Sequence, residues 1–363
     1  MRVRGIIRLG SVAIRVAVGM VAISRIARAA TVDAPVRPTH TPMQSISVVV
    51  PARDEAERIG PLLDAIVDAP GVDEVIVVDD QSSDTTATIA RHAGATVISG
   101  ALLPEGWAGK AWALQQGIAA ASSDWVVTLD ADTRPDLRLP TALVARAVAD
   151  RLDLLTVGGR FECPTPGSRW LHPAMLTTLV YRFGPPGAPP PRPERMMANG
   201  QCMAVPRDAF LAAGGMERVR AEVVEDLALA RCLATDGHRV GFLDAGELLS
   251  VRMFESFADA WKGWGRSLAL PGVEPRGRQL FDLAIVVLAQ VLPLPRLLLR
   301  RGDVIDVVLA LTRLGTLAGT RRAYERNDAL YWLSPLADPL AAAAIARGIA
   351  RQGRQTWRGR SYT

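Results

Sequence analysis

The chain has 363 residues, enough for one large domain or a domain with appendages; 49% of them are apolar and the mean hydropathy is +0.16. Its net charge of +5 gathers at the ends, in Arg2, Arg4, Arg8, Arg15, Arg25 and Arg28 and in Arg347, Arg351, Arg354, Arg358 and Arg360, which leaves the middle net acidic. Basic ends on an acidic body argue for an anionic membrane surface and against nucleic acid, while the scattered Cys163, Cys202 and Cys232 and the four histidines supply neither a disulfide framework nor a zinc pattern.

The amino end carries the apolar stretch "RVAVGMVAIS" and then Ala27-Arg28-Ala29, a triplet compatible with a secretory cleavage site. Arg15 interrupts the stretch, and Arg25 and Arg28 sit on its far side. An amphipathic or short anchoring helix with snorkelling arginines is therefore the favoured reading. Residues 1–44 are expected to be this anchor and a linker.

From residue 46 strands and helices alternate. "ISVVVPA" is a continuous β-branched run, as in a strand buried on both faces. "DEAERIGPLLDAIVDAP" follows with Ile59, Leu62, Leu63 and Ile66 at helical spacing. "EVIVVDD" is a second strand, and "SSDTTATIARHAG" a helix with Ser/Asp caps that stops at Gly94. "ATVISG", "GKAWALQQGIAAASS" and "DWVVTLDADT" complete a βαβαβαβ run. Such a run specifies a doubly wound, mostly parallel sheet with helices on both faces, which binds ligands at the carboxyl ends of its strands.

Three acidic segments, "PARDE" (51–55), "VDDQSSD" (78–84) and "DADT" (130–133), all fall at such carboxyl ends. Asp is common wherever strands stop, so each alone reads as a loop. Together they crowd one rim with like charge, an arrangement that a cation and a nucleotide would make sensible. Hard cations such as Mg²⁺ or Mn²⁺ are held by one or two carboxylates plus substrate phosphates, which suits Asp130 and Asp132.

Beyond "DLLTVGGRF" and a helical stretch around "WLHPAMLTTLVYRF" comes "GPPGAPPPRPE" (184–194), read as a loop and as either a linker or a mobile flap. "VRAEVVEDLALARCLATDG" is an amphipathic helix opening near Glu225-Asp226, and "FADAWKGWGRSLAL" a helix with aromatics on one side. After residue 276 the character changes to three apolar segments, "FDLAIVVLAQVLPLPRLLLRR", "DVIDVVLALTRLGTLAGTRR" and "ALYWLSPLADPLAAAAIA". Pro293, Pro295, Arg296, Asp306, Arg313 and Asp338 interrupt them, so none is a clean run of the roughly 20 apolar residues that spans a bilayer. An even number of crossings, or hairpins that do not cross, fits the basic tail best.

These residues in this order resemble glycosyltransferase family 2, the inverting GT-A enzymes that use nucleotide-sugars. The resemblance covers roughly residues 45–270, and 45–276 is expected to be that domain, with 277–363 as membrane-associated helices and a basic tail. Within the family the chain looks most like the membrane-associated enzymes of hopanoid and carotenoid-type lipid glycosylation, through "GWAGKAWAL", "ANGQCMAVPRDAF", "VVEDLALA" and "WRGRSY". The resemblance implies that Pro51, Arg53 and Glu55 meet the nucleotide base and that Asp80 reads the uracil edge, where a carboxylate accepts an imide N–H. It implies that Lys110 lies on the donor side and that Asp130 and Asp132 form the DXD motif holding Mg²⁺ or Mn²⁺ on the pyrophosphate. Asp226 is then the base that takes the acceptor's proton, and Gly200 and Gln201 belong to the acceptor-side loop. For Glu225-Asp226 the residues alone favour simple helix-dipole stabilisation.

One departure stands out. Processive members carry Gln-x-x-Arg-Trp where this chain has "WKGWGRSL", so a single transfer is expected, with Arg266 as the residue that would reach the pyrophosphate. Trp261 and Trp264 read equally as core or membrane-interface residues. The expected activity is transfer from a UDP-sugar to a lipid acceptor at the cell membrane, with the catalytic domain on the cytoplasmic side and no nucleic-acid partner. A nucleotidyltransferase is the competing enzyme reading, but it would want a Gly-rich basic loop where "PARDEAERIG" is acidic. A non-catalytic membrane partner that binds nucleotide-sugar is the other alternative, and the joint presence of Lys110, Asp132 and Asp226 argues against it.

Overall fold

Ile46–Ala52 forms strand β1, and its Val48, Val49 and Val50 are fully shielded because helices cover both faces of the sheet it centres. The computed structural model describes residues 2–39, 44–252, 254–351, 355–357 and 360–362. They fall into two compact units, residues 33–161, 189–252 and 354–363 in one, and residues 1–32, 162–188 and 253–353 in the other. The stretch 45–276 thus contributes to both.

In the first unit the further strands are β2 (Glu74–Asp79), β3 (Thr96–Ser99), β4 (Trp125–Leu129), β5 (Thr133–Pro135), β6 (Leu154–Gly158), β7 (Arg160–Phe161), β8 (Cys202–Pro206), β9 (Val240–Asp244) and β10 (Leu249–Val251). Seven of them make one sheet in the order β3-β2-β1-β4-β8-β6-β9. β1 runs parallel to both β2 and β4, β9 runs parallel to β6, and β8 alone is antiparallel to its neighbours β4 and β6. This is the expected mostly parallel, doubly wound α/β sheet. The order reverses between β1 and β4, so the carboxyl ends of these two strands flank a switch point where the chain can admit a ligand.

The helix Gly109–Ala120 lies against this sheet through Gly117, where an added Cβ would stand 2.4 Å from Val49 Cγ1 and 2.9 Å from Val78 Cγ2. Three local readings are corrected. The helix expected from residue 54 is confined to Ile59–Ile66, because Glu55 O accepts the Arg58 N–H in a turn at 2.9 Å. The helix after β2 starts at Thr86 with Asp84 Oδ1 accepting the Thr86 N–H at 2.9 Å, while Ser82 and Ser83 turn instead toward Asp54. "DWVVTLDADT" is two strands, since Thr133 bonds back to Asp130 O through its N–H at 3.0 Å and its hydroxyl at 2.7 Å. The turn diverts β5 into a small second sheet, ordered β5-β10-β7. The tail contributes a hairpin of Gln355–Trp357 with Arg360–Tyr362; the side chains of Arg2, Arg4, Arg8, Arg354, Arg358 and Arg360, part of the basic-ends reading, lie outside what is described.

The second unit is helical: Arg2–Ala27, Pro166–Phe183, Phe257–Ser267, Arg276–Ile285, Val304–Thr320 and Asp338–Ala350 are its longer elements. Thr165 and Ser168 cap Pro166–Phe183 reciprocally. Leu171, Met175, Leu268 and Ile345 form its core together with Trp264, and Trp261 packs against that cluster, so the core reading of these tryptophans holds. Polar residues that interrupt the apolar segments pair inside the unit. Arg15 Nη2 lies 2.6 Å from Asp303 and 3.1 Å from Asp306, and Arg296 Nε 2.9 Å from Asp306. Arg25 lies 3.0 Å from Asp282, and Arg313 Nε 2.9 Å from Asp338.

The proline interruption does not break the first C-terminal segment. A π turn over Val286–Val291, with the Leu292 N–H donating to Val287 O at 2.9 Å, widens the helix just before Pro293. A regular turn would drive the proline ring into the carbonyl four residues back. The helical path therefore runs Arg276–Leu298, 23 residues whose most apolar 18-residue stretch has a mean hydropathy of 1.8, and joins Gly10–Thr31, 22 residues with a corresponding value of 1.6, as the two described helices long and apolar enough, by length and composition, to cross a membrane. Arg276–Leu298 is still no clean apolar run, since Arg278, Asp282, Pro293, Pro295 and Arg296 interrupt it.

Candidate active site

Asp130 follows the last residue of β4, and its N–H donates to Gln201 O at 3.0 Å. Because β8 is antiparallel to β4, with Cys202 opposite Leu129, the loop entering β8 comes to the carboxyl end of β4 and brings Gly200 and Gln201 there. Lys110 sits in the first turn of the helix Gly109–Ala120, and Glu225 and Asp226 open the helix Glu225–Thr235. One strand end and two helix starts thus meet a loop.

Their side chains interlock. Lys110 Nζ stands 2.9 Å from Asp130, 3.1 Å from Glu225 Oε1 and 3.4 Å from Gly200 O. Asp226 Oδ2 accepts the Gly200 N–H at 2.6 Å. A Cβ at Gly200 would stand 2.8 Å from Asp226 Cβ and 3.1 Å from its Cγ, so glycine is what lets the loop touch the carboxylate. Asn199 and Gln201 brace the loop, with the Asn199 amide donating to Gln201 Oε1 at 2.9 Å.

Burial raises the proton affinity of Asp130, Asp132 and Asp226. Asp226 is pushed up to about 6 by burial and by Glu225, with Lys110 and the backbone N–H groups opposing. Asp130 is also pushed up to about 6 by burial, against the pull of Lys110. Asp132 is raised by burial and then by Glu55, with Lys110 and Arg58 opposing. For Lys110, burial disfavours the charge, but Asp130, Glu225 and Asp226 outweigh it and the ammonium is held. Asp132 Oδ1 is buried with no hydrogen-bond partner. A divalent cation fits these residues: it would satisfy that oxygen and relieve the repulsion between Asp130 and Asp132. Among the described residues no three His, Cys, Asp or Glu side chains converge into a cage. A cation here would therefore take further ligands from phosphate oxygens or water, as Mg²⁺ usually does.

The other half of the rim lies at the ends of β1 and β2. Arg53 Nη1 donates to Asp80 O at 2.7 Å and stands 3.7 Å from Asp80 Oδ2, while Asp80 itself is 2% exposed. Asp54 takes a left-handed φ of 51° and accepts from the Ser83 N–H at 2.7 Å and the Ser83 hydroxyl at 3.0 Å. Those bonds, the backbone one foremost, hold its carboxyl below the usual range. Glu55 N–H donates to Thr86 Oγ1 at 2.9 Å, and Arg58 Nη1 lies 3.3 Å from Glu55 Oε2. Pro51 is half-buried within β1, opposite Val78.

Lys110, Asp130, Gly200 and Asp226 are thus brought into contact, Arg53 joins Asp80, and Glu55 faces Asp132 through its charge. Arg266 lies in the helix Phe257–Ser267 of the other unit. The residues read too lightly from the sequence are Glu225, which is buried against Lys110, and Arg58, which sits on Glu55. The three-residue spacing from Glu55 to Arg58 on a turn was a legible signal for the second. Glu225 carried no signal beyond its acidic neighbour.

Residues 47–212 match the model of "Glycosyl transferase family 2". The 4,4'-diaponeurosporenoate glycosyltransferase of Staphylococcus aureus strain USA300 is 25% identical over 241 residues, 62% of this chain and 61% of that protein. Its counterpart in strain bovine RF122 is 40% identical over 90 residues, 24% of each. The chain spans about three fifths of the length of the first of these relatives. A solved mannosyltransferase from Pyrobaculum calidifontis, in complex with GDP-Man and Mn²⁺, superposes with a TM-score of 0.55 over 94% of this chain and 97% of that one, at 18% identity.

Proposed function

Since the chain carries a family 2 glycosyltransferase domain, we propose that it transfers a sugar from a nucleoside diphosphate sugar, a UDP-hexose, to a hydroxyl or carboxyl of a membrane lipid in one inverting displacement. The observation that carries this reading is the Asp226 carboxylate, fixed by the Gly200 N–H at 2.6 Å and pushed up to about 6. A base of that strength is half or more deprotonated at neutral pH yet still takes a proton from an attacking hydroxyl.

Asp130 and Asp132 would hold Mg²⁺ or Mn²⁺, which supplies Lewis-acid stabilisation of the leaving diphosphate. The chain's own residues do the rest. Lys110 adds a point charge beside the phosphates. Asp80 and Arg53, at the ends of β2 and β1, hold the base, with Pro51 and Glu55 beside them. Gly200 orients Asp226 toward the acceptor, and Gln201 shapes the acceptor loop. Single transfer, rather than polymerisation, follows from "WKGWGRSL". The similarity to a glycosyltransferase named for a carotenoid acid supports a lipid acceptor, and the two apolar helices support a membrane location; a cytoplasmic catalytic domain at the cell membrane is part of the proposal.

The test is release of UDP from labelled UDP-sugars by the purified full chain, with and without a lipid extract, and with Mn²⁺ or excess EDTA. Lipid-stimulated, metal-dependent release is expected, and it should disappear in Asp132→Ala. Full release in EDTA, or none with any donor, overturns the reading.

A further inference from the structure

Lys110 has three close oxygen neighbours but one charge. Its Nζ is 2.9 Å from Asp130 and 3.1 Å from Glu225 Oε1, and the Gly200 carbonyl at 3.4 Å completes its surroundings. The Glu225 side chain is only 7% exposed, so its charge needs a partner there, and Lys110 stands 3.1 Å away. A cation taking Asp130 as a ligand needs the same carboxylate that Lys110 now grips. An ammonium and a divalent ion cannot both sit against that carboxylate without repulsion.

We propose that Glu225 is a positioning residue for Lys110. It receives the ammonium when Asp130 turns to a cation, so that Lys110 acts first as the resident counter-charge of the carboxylate rim and then as a group aimed at the donor's phosphates. This inference rests on the metal reading above. The exchange needs no movement of backbone, because Nζ already touches both carboxylates. It also keeps a positive charge beside Asp226, the next residue in the helix. Glu225 thereby links the donor side of the rim to the base.

The experiment measures Mn²⁺ binding to the full chain without nucleotide, by the spin-resonance signal of free Mn²⁺, so that no turnover is involved. Wild type, Lys110→Met, Glu225→Gln and the double variant form a cycle, each checked for a wild-type-like melting transition. Lys110→Met should bind Mn²⁺ about tenfold more tightly, because its competitor is gone. Glu225→Gln should bind several-fold more weakly in the wild-type background and change affinity less than about twofold when Lys110 is already Met, the non-additivity of residues that act through each other. Unchanged affinity in Lys110→Met overturns the proposal, as does an equal loss from Glu225→Gln in both backgrounds, which would make Glu225 a distant charge. If Lys110→Met fails to fold, Lys110→Gln serves in the cycle with the same expectations. Failure of the metal reading looks different. In that case Mn²⁺ binding measured with UDP present is the same in wild type and Asp132→Ala.

Discussion

Two opposed effects set the proton affinity of Asp226: burial and Glu225 raise it, while Lys110 and the Leu227 and Gly200 N–H groups restrain it near 6. Only the deprotonated form accepts a proton, so the competent fraction falls as pH drops through that value. Transfer should lose about tenfold per pH unit below about 6. Asp226→Asn should leave donor affinity and melting temperature near wild type and lower transfer by about 10²–10⁴-fold. Helix-dipole stabilisation alone predicts the reverse, a stability loss of about 0.3–1 kcal/mol with turnover intact. Turnover, calorimetric UDP binding and thermal melting on that one variant decide between them. Gly200→Ala tests the support of the base: its methyl would meet Asp226 at 2.8 Å, so turnover should drop at least about tenfold while UDP affinity holds. Asp130 and Asp132 stood out in the sequence because they fall where a strand ends, whereas Asp226 was singled out by the family resemblance, its place in a first helical turn favouring a dipole role by itself. The partners of Lys110 were not, because a lysine near residue 110 and a glutamate at 225 are joined only by the fold.

At the scale of elements, the helix Gly109–Ala120 carries Lys110 and is set against the sheet by Gly117. Gly117→Ala would press a methyl to 2.4 Å from Val49 and 2.9 Å from Val78, and neither buried valine has room to retreat. The expected cost is about 1–3 kcal/mol of stability, read by thermal or denaturant unfolding, with donor affinity weakened because the helix start moves. A wild-type melting curve would show that the helix rides freely on β1. β1, β2 and β4 were legible as runs of β-branched residues, and their acidic ends located the rim. The position of β8 was not, because an antiparallel strand inserted between β4 and β6 leaves no trace in local periodicity. The same holds for β5: the turn through Ala131 and Asp132, closed by Thr133 on Asp130 O, and the pairing with β10 show only in the fold. The π turn before Pro293 belongs to this class, since proline in an apolar run reads as a break until the neighbouring turn is seen to widen.

For the molecule as a whole, the helical unit sets buried charge against exposed apolar surface. Arg15, Asp306 and Arg313 are turned inward and paired, whereas Leu298 (69% exposed), Leu299 (66%), Val304 (78%) and Leu311 (62%) face outward on and between the helices that end at Leu298 and begin at Val304. Sequence alone put the arginines on a headgroup-facing side, because a charge in an apolar run has no visible partner until Asp303 and Asp306 are seen beside Arg15. If the outward residues insert into a bilayer, each transferred leucine contributes up to about 1.5–3 kcal/mol. Leu298→Glu, Leu299→Glu and Leu311→Glu, combined in the full chain, should then lower flotation with vesicles containing anionic lipid by at least about tenfold. The Arg15–Asp306–Arg296 pairs are untouched, so the melting transition should persist and separate lost binding from lost folding. Raising salt to 1 M shortens electrostatic reach to about 3 Å and removes attraction between the basic ends and the vesicle, leaving the apolar contribution to be read alone. Undiminished flotation of the triple variant at high salt would show that this face stays in water and that other residues hold the protein to lipid.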